Sequence, residues 1–220
     1  MTAMNLERAR HNMVEQQIRP WDVLDQRILD LIARAPREEY VPADYRRLAY
    51  SDIEIPLPHG QAMMAPRIEA RLLQALDIQP SDKILEIGTG TGYLASLLAA
   101  LGRHVTSVEI FPDLTTMAAG TLGTHGVRNV TLEVGDAGRG WDRHAPFDVI
   151  VLTGSVPVLG DAFRNALAEG GRLFAVVGQA PAMEARVVHR QGRHGWKTTS
   201  LFETVLAPLR NVAVPPTFRF

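Results

Sequence analysis

The sequence predicts an α/β fold with a mainly parallel central sheet, helices on both faces, an antiparallel strand near the C-terminus and an N-terminal helical extension. Two observations lead to this prediction. From about residue 83 onward, short runs of β-branched and aliphatic residues alternate with stretches of helical character, as in βαβ units. The first run, Lys83–Ile87, leads into the glycines Gly88, Gly90 and Gly92. Glycines between a strand and a helix let a ligand approach the backbone closely, so this turn predicts a nucleotide-type cofactor site.

Residues 1–78 are predicted to form the helical extension. Asp22 or Asp25 would cap its central helix. Residues 55–60 include two prolines and are expected to be extended or to turn, without regular structure. A further helix is expected over residues 67–76, where four apolar residues at helical spacing should face the core. These four residues are Ile68, Leu72, Leu73 and Leu76.

Residues 79–220 are predicted to form the cofactor-binding core, in one compact unit with the extension. Strands and helices alternate here, and the last two strands should pair through a turn at residues 192–195. Other turns are expected at residues 153–155 and 170–171. After the first strand, the predicted elements are a helix over 94–101, strands over 104–109, 130–134 and 147–153, a helix over 161–168, and strands over 172–177, 185–190 and 198–206.

The spacing of the three glycines distinguishes between classes of cofactor. Dinucleotide-binding turns have the spacing G-x-G-x-x-G, which would place the third glycine at the position of Tyr93. A phosphate-binding P-loop is excluded, because no Gly-Lys-Ser or Gly-Lys-Thr follows. Glu86, just before the first glycine, suits a cofactor with a cationic end and no phosphate, and S-adenosylmethionine (SAM) has this charge pattern. The alternative is a tight strand–helix turn that binds no ligand.

Two further acidic residues are predicted to reach the same crevice. Glu109 ends the second strand about 20 residues past the first glycine, where an acid holds the ribose diol in nucleotide-binding βαβ units. Asp136 follows the third strand and could accept a hydrogen bond from an adenine amino group. Each acid alone is more often a cap or a turn residue, but three acids at successive strand ends indicate a ligand site. The predicted cofactor-binding residues are Glu86, Gly88, Thr89, Gly90, Gly92, Glu109, Ile110, Asp136 and Ala137.

The composition excludes several classes of function. The chain has 220 residues, no cysteine and a formal net charge of −1. Without cysteine it has no disulfides, no thiolate nucleophile and no thiolate metal site, and no metal site is predicted. No run of like charges indicates a nucleic-acid partner, and no apolar run is long enough for a membrane span. The N-terminus is polar rather than signal-like, so the protein is expected in the cytoplasm.

Several stretches, found in one order along nearly the whole chain, resemble the protein-L-isoaspartate (D-aspartate) O-methyltransferase family. They lie at residues 13–18, 36–42, 49–52, 60–61, 66, 84–93, 105–109, 129–130, 135–136, 140–141, 145–148 and 170–171. The resemblance implies a Rossmann-like class I methyltransferase sheet with an added N-terminal helical region, and SAM as the cofactor. It also implies a role in protein repair, in which the α-carboxyl of isoaspartyl residues in damaged proteins or peptides is methylated.

The chain departs from this family in the substrate loop, residues 58–66. Family members have Gly-Gln-Thr-Ile-Ser before a proline, and the serine is the residue usually called the active site. Here both hydroxyls are absent, because Ala62 replaces the threonine and Met64 the serine. Carboxylate methylation needs no general base, since an acceptor carboxyl with a pKa near ~3.5 is ionised at neutral pH. The serine would therefore act by positioning, and its loss costs on the order of 3 kcal/mol at most.

The substrate loop leaves several interpretations open. In one, Met63 and Met64 fill core space and other groups bind the substrate. In another, the apolar Met64 disfavours a charged acceptor, and the acceptor is less polar, such as a small molecule. His59 and Gln61 are the other polar candidates for orienting an acceptor, and His59 would serve as a base for a hydroxyl acceptor. A protein that binds SAM without catalysis is a further alternative, and the sequence assigns no catalytic residue.

Overall fold

The structure, a computed structural model, describes residues 3–192 and 195–214. The strands are β1 (Ile55–Leu57), β2 (Gln61–Met63), β3 (Lys83–Ile87), β4 (His104–Glu109), β5 (Val130–Val134), β6 (Phe147–Val156), β7 (Leu167–Gln179), β8 (Ala182–Gln191) and β9 (Gly195–Glu203). The α-helices are α1 (Ala3–Met13), α2 (Gln26–Arg34), α3 (Arg37–Tyr40), α4 (Pro66–Leu76), α5 (Tyr93–Leu101), α6 (Pro112–Thr124) and α7 (Asp161–Asn165). Shorter helical turns cover Val14–Ile18, Arg19–Trp21, Ala43–Leu48 and Pro58–Gly60. No helix in the two described ranges is long and apolar enough to cross a membrane.

The central sheet determines where a ligand can bind. Its strand order is β5-β4-β3-β6-β7-β8-β9, with β3 to β7 parallel and β8 and β9 antiparallel to their neighbours. The predicted α/β fold, with its mainly parallel sheet and its antiparallel pairing near the C-terminus, is confirmed. The chain passes from β3 to β4 on one side and later returns to β6 on the other side. Such a reversal of strand order opens a crevice at the carboxyl ends of the strands, where sheets of this type bind ligands.

Both faces of the sheet are buried, in two separate hydrophobic clusters. Neighbouring residues of β3 face opposite sides, so Ile84 belongs to one cluster and Leu85 to the other. The larger cluster joins the sheet to the N-terminal helices through residues such as Ile28 of α2 and Leu72 of α4. The smaller cluster includes Phe163 of α7. The N-terminal helices therefore pack in the same cluster as one face of the sheet.

Two N-terminal helices form for the local reasons expected from the sequence. Asp25 is the N-cap of α2, and its Oδ1 accepts a hydrogen bond from the Arg27 N–H at 2.8 Å. The first residue of α4 is Pro66, which suits a first helical turn because no N–H is needed there. The four apolar residues predicted to face the core are all buried, as expected: Ile68, Leu72, Leu73 and Leu76.

Residues 55–57 are extended and residues 58–60 turn, as predicted, but both belong to regular elements, which the prediction excludes. β1 pairs antiparallel with β2, and Pro56 lies opposite Ala62. Proline is tolerated because each strand of a two-stranded sheet has a free edge, on which no N–H is needed. The helical turn Pro58–Gly60 connects the two strands.

The predicted helix over residues 161–168 is too long. α7 ends at Asn165, because Leu167 is fully buried and pairs with Phe147 as the first residue of β7. The Phe147 N–H donates to the Ala166 carbonyl at 2.9 Å, so the chain joins the sheet before a further helical turn can form.

Two predicted turns lie inside strands. The turn expected at residues 170–171 is an irregularity within β7, where Gly170 has a positive φ of 77°. The turn expected at residues 153–155 is part of β6. The last strand, expected over residues 198–206, ends at Glu203. Local turn signals are overridden in each strand by pairing with its neighbour in the sheet.

Candidate functional site

A cleft opens at the carboxyl ends of the parallel strands, where the sheet topology places it. This main cleft encloses about 740 Å³, including its open mouth. Its walls are the turn after β3, the ends of β4 and β6, the loop after β5, part of the substrate loop and a C-terminal segment. An inner cavity of about 330 Å³ adjoins it and shares Gly88, Gly90 and Thr153 with its lining.

The glycine turn after β3 has backbone angles that favour glycine. Gly88, Gly90 and Gly92 have φ values of 96°, 53° and 83°. A side chain at Gly88 would collide with Oγ1 of Thr153, and a Cβ at Gly92 would lie 3.2 Å from Ala118. Gly88 and Gly90 line both cavities, whereas Gly92 packs against α6 and precedes α5. The predicted strand–glycine–helix turn is therefore present, with its backbone on the cleft wall.

Glu109 stands at the end of β4 on the cleft wall and is held by backbone groups. Its Oε2 accepts a hydrogen bond from the Gly90 N–H at 2.9 Å, and its Oε1 accepts one from the Phe111 N–H at 3.1 Å. A carboxylate has about four acceptor positions, so two are left for a ligand. Ile110 lines the cleft next to it.

Asp136 and Ala137 line the cleft after β5. Oδ1 of Asp136 accepts a hydrogen bond from the Gly138 N–H at 3.1 Å, and its Oδ2 accepts one from Nδ2 of Asn211 at 2.8 Å. Ala137 is buried beside it. Asn211 belongs to the C-terminal segment, residues 206–211, so Asp136 connects the loop after β5 to that segment.

Glu86 and Thr89 line the inner cavity rather than the main cleft. Glu86 is fully buried, its Oε2 accepts a hydrogen bond from Oγ of Ser107 at 2.5 Å, and its Oε1 has no partner. Oγ1 of Thr89 lies 2.6 Å from Oγ of Ser107. Burial raises the pKa of Glu86 to about 8, so its neutral form predominates at pH 7. A cation beside it would favour the carboxylate.

The two methionines of the substrate loop are buried in the larger hydrophobic cluster. Met63 and Met64 also line the inner cavity. The Met64 carbonyl accepts a hydrogen bond from Nη2 of Arg37 at 2.6 Å. Arg37 is itself fully buried, forms an ion pair with Glu69 and lies 4.7 Å from the centroid of the Tyr93 ring. This placement supports the interpretation in which the methionines fill core space, with a buried arginine fixing the loop backbone.

His59 lies outside the linings of both cavities, whereas Gln61 lines the main cleft. The His59 backbone has a φ of 61°, in the left-handed region that residues other than glycine rarely adopt. Its ring stacks on Phe111 with centroids 4.1 Å apart, and its Nε2 lies 2.8 Å from Oδ2 of Asp113. Its carbonyl accepts a hydrogen bond from Nη2 of Arg210 at 2.7 Å. This placement does not support His59 as a base.

The C-terminal segment, residues 206–211, forms a cleft wall that the sequence did not predict. Oγ of Ser155 donates to the Leu206 carbonyl at 2.7 Å, and the Leu209 N–H donates to the Ser155 carbonyl at 3.0 Å. Leu206, Leu209 and Arg210 line the main cleft. The segment has neither periodicity nor a motif, and its place depends on its contact with β6.

Comparison with known proteins identifies the family. A family model described as Protein-L-isoaspartate(D-aspartate) O-methyltransferase (PCMT) matches residues 8–214. The chain belongs to this family. A protein-L-isoaspartate O-methyltransferase of Koribacter versatilis (strain Ellin345) is 40% identical over 209 residues, which cover 95% of this chain and 93% of the relative. Another, from Gloeobacter violaceus (strain ATCC 29082 / PCC 7421), is 43% identical over 166 residues, which cover 76% of this chain and 81% of the relative.

Two solved structures share the fold of this chain. A Plasmodium falciparum structure described as a beta-aspartate methyltransferase (PCMT) in complex with S-adenosyl-L-homocysteine has a TM-score of 0.77 at 18% identity, covering 91% of this chain and 98% of that chain. A second structure, described as a protein-L-isoaspartate O-methyltransferase, has a TM-score of 0.76 at 23% identity and covers 90% of this chain and 65% of that chain. The Rossmann-like methyltransferase fold implied by the family resemblance is confirmed.

The substrate loop leaves the cavity walls without the two hydroxyls that the family resemblance leads us to expect. Ala62 lines both cavities, and Met64 lines the inner one. Thr153, in the C-terminal half of β6, lines both cavities and carries a hydroxyl. Its Oγ1 donates a shared hydrogen bond to the carbonyl oxygens of Ile87 and Gly88, which lie 2.9 and 2.8 Å away. Thr153 therefore does not replace the missing donors.

Proposed function

We propose that this protein transfers a methyl group from SAM to the α-carboxyl of isoaspartyl residues in proteins or peptides. The observation that carries the proposal is the wall formed by the glycine turn and Glu109, at the carboxyl edge of the sheet in a chain that matches the family over residues 8–214. The substrates assigned in this way are damaged proteins or peptides. The cytoplasmic location expected from the composition stays a prediction.

The residues of the two cavities fit SAM. Glu109 keeps two acceptor positions for a ribose diol, and Asp136 faces the same cleft for an adenine amino group. Gly88 itself has no room for a side chain, so its backbone forms the wall of the cleft. In the inner cavity, Oε1 of Glu86 is buried without a partner, which suits a cationic amino group. We therefore assign cofactor binding to the residues predicted from the sequence, with Gly92 supporting the turn.

The chain's own residues act by positioning and by excluding water. When bound, SAM supplies a methyl group activated by a sulfonium charge. The acceptor carboxyl is ionised at neutral pH, so it needs an aligned and desolvated position rather than a base. Among the described residues, no histidine, lysine or cysteine lines the main cleft or the inner cavity. Carboxyl groups do line both cavities, but an acceptor that is already ionised has no proton for them to remove.

A second candidate function has support from the substrate loop. Because Ala62 and Met64 make the linings less polar, a methyltransferase of the same fold with a less polar acceptor is the alternative. The double variant Ala62→Thr with Met64→Ser separates the two functions. Isoaspartyl transfer that is present before the change and varies little afterwards supports the first function. Transfer that arises only in the double variant supports the second.

The primary test is incubation with SAM and a peptide that carries one isoaspartyl residue. We expect a methyl ester and S-adenosylhomocysteine (SAH) to form with this peptide and not with its aspartyl counterpart. Calorimetric binding of SAH without any ester would contradict the isoaspartyl function but retain the cofactor site. Absence of SAH binding would contradict the cofactor assignment itself.

A further inference from the structure

The main cleft is acidic for a site that receives a carboxylate. Three carboxyl side chains, those of Glu54, Glu109 and Asp136, line it. Like charges repel strongly where water is partly excluded, so an acceptor carboxylate needs a cation or donors beside it. The two hydroxyl positions of the loop are occupied by Ala62 and Met64. A cation that reaches this loop would supply the interaction that the two hydroxyls do not.

Arg210 is the one cation that lines this cleft in the part of the chain that the structure describes. Its side chain donates a hydrogen bond to the His59 carbonyl and lies over the Phe111 ring. Among the described residues, no carboxylate forms an ion pair with it. Two other arginines beside the substrate loop are already paired with carboxylates. Arg37 pairs with buried Glu69, and Arg67 pairs with Asp52. The charge of Arg210 is therefore available to a ligand.

The Arg210 side chain is held in place by the substrate loop. Nη2 donates to the His59 carbonyl at 2.7 Å, and the guanidinium carbon lies 6.0 Å from the centroid of the Phe111 ring. His59 keeps its unfavourable left-handed backbone because its ring stacks on Phe111 and pairs with Asp113. A guanidinium has five N–H donors in a fork, so Arg210 retains donors for bidentate binding of a carboxylate.

We propose that Arg210 binds the acceptor carboxylate and that His59 is a positioning residue for Arg210. The inference rests on the proposed function, since it assigns the substrate-binding cation of that same site. Arg210 lies on the segment that forms one wall of the cleft, and it contacts the loop that lacks the hydroxyls. A fixed guanidinium distinguishes a carboxylate from an uncharged carboxamide, because only the carboxylate accepts two charge-assisted hydrogen bonds.

Calorimetry on the SAH-bound protein tests the role of Arg210. SAH lacks the sulfonium charge, so a preference for a carboxylate must come from the protein. The two ligands are an isoaspartyl peptide with a free α-carboxylate and the same peptide with an α-carboxamide. We expect the wild type to bind the carboxylate peptide about tenfold or more tightly. Arg210→Gln should lose this preference, and Arg210→Lys should keep only part of it.

Arg139→Gln is the matched control. Arg139 donates to the Asn211 carbonyl at 3.1 Å on the same segment, but it does not line the cleft. This variant should keep the full preference for the carboxylate. A full preference in Arg210→Gln, or no preference in the wild type, would overturn the assignment of Arg210.

Methyl-ester formation separates failure of this inference from failure of the proposed function. A wild type that prefers the carboxylate but forms no ester contradicts only the proposed function. Ester formation with equal peptide KM in wild type and Arg210→Gln contradicts only the role of Arg210. For His59, we expect His59→Asn to raise the peptide KM about threefold at unchanged kcat. An unchanged KM would contradict its positioning role.

Discussion

The cofactor wall, which is formed by the glycine turn of residues 88–92 and by Glu109, differs in construction from the acceptor side, which is formed by the substrate loop and Arg210. On the cofactor wall, Gly90 and Glu109 lie at the ends of adjacent parallel strands and form a hydrogen bond across them. On the acceptor side, His59 is held by Phe111 and Arg210, which lie far away in the sequence. The first arrangement follows from strand ends that any such sheet brings together. The second depends on side chains that can be exchanged, so the acceptor side can vary while the cofactor wall is kept.

The largest effect is expected from Gly88→Ala, which damages the cofactor wall alone. Gly88 has a φ of 96°, and its Cβ would collide with Oγ1 of Thr153. We expect the SAH affinity measured by calorimetry to fall by on the order of 100-fold. The control Gly120→Ala changes a glycine in α6 with open space around it, and it should keep the affinity and add about 0.5–1 kcal/mol of stability. Wild-type affinity in Gly88→Ala would mean that the turn does not hold the cofactor.

Glu109→Gln should weaken SAH binding by roughly 10- to 100-fold, because charge-assisted hydrogen bonds to the ligand are lost. Its kcat at saturating SAM should change far less, since Glu109 is assigned to the donor side only. Glu133→Gln is the control, because Glu133 pairs with His144 and does not line the cleft. If kcat falls as much as the SAH affinity, Glu109 affects methyl transfer as well as cofactor binding, which would contradict its assignment to the cofactor alone.

Glu86→Gln should change how stability depends on pH. Burial raises the pKa of Glu86 from 4.5 to about 8, so the folded state keeps a proton that the unfolded state loses between these values. The wild type therefore loses stability as the pH rises through this window. Without the carboxyl, we expect a gain in the free energy of unfolding at pH 8 on the order of 4 kcal/mol, or roughly 8–16 °C in Tm. No gain should occur at pH 4, where Glu86 is neutral in both states.

Thermal unfolding of both proteins across the window checks this expectation. Burial also raises the pKa of Glu69, although its ion pair with Arg37 opposes this, so some pH dependence remains in the variant. Parallel Tm curves for wild type and Glu86→Gln would show that Glu86 is ionised in the folded protein.

The smallest effect is expected from Asp113→Asn, on the acceptor side. The His59 side chain lowers the pKa of Asp113, so the carboxylate faces the ring throughout the neutral range. Removing its charge should raise the peptide KM by only about twofold, because the pair is exposed to solvent. SAH affinity should not change. Asp161→Asn, which alters an exposed ion pair with Arg164, is the control and should leave both constants unchanged.

The cofactor wall was predictable from the sequence because its geometry is local. A buried strand, three glycines and an acid at the end of each following strand determine where Glu109 and Asp136 must lie. Even there, the sequence did not reveal that Glu86 lies in a separate inner cavity, bonded to Ser107. That contact depends on the register between β3 and β4.

The acceptor side was less predictable because its contacts are long-range. No periodicity places Arg210 against the His59 carbonyl, or buries Arg37 beneath the Met64 carbonyl. The error over residues 161–168 has the same origin, since pairing in the sheet ended a segment with helical character. Sequence patterns report local preference, and they fail where tertiary contacts decide the conformation.

Transfer of a labelled methyl group from SAM to an isoaspartyl peptide by the wild-type protein tests the central claim most directly. The claim is that an intact cofactor wall serves carboxyl methylation although the loop hydroxyls are absent. We predict that the label appears in a base-labile methyl ester on the isoaspartyl α-carboxyl, and not on the aspartyl peptide. Label that reaches neither peptide while SAH binds normally would contradict the claim.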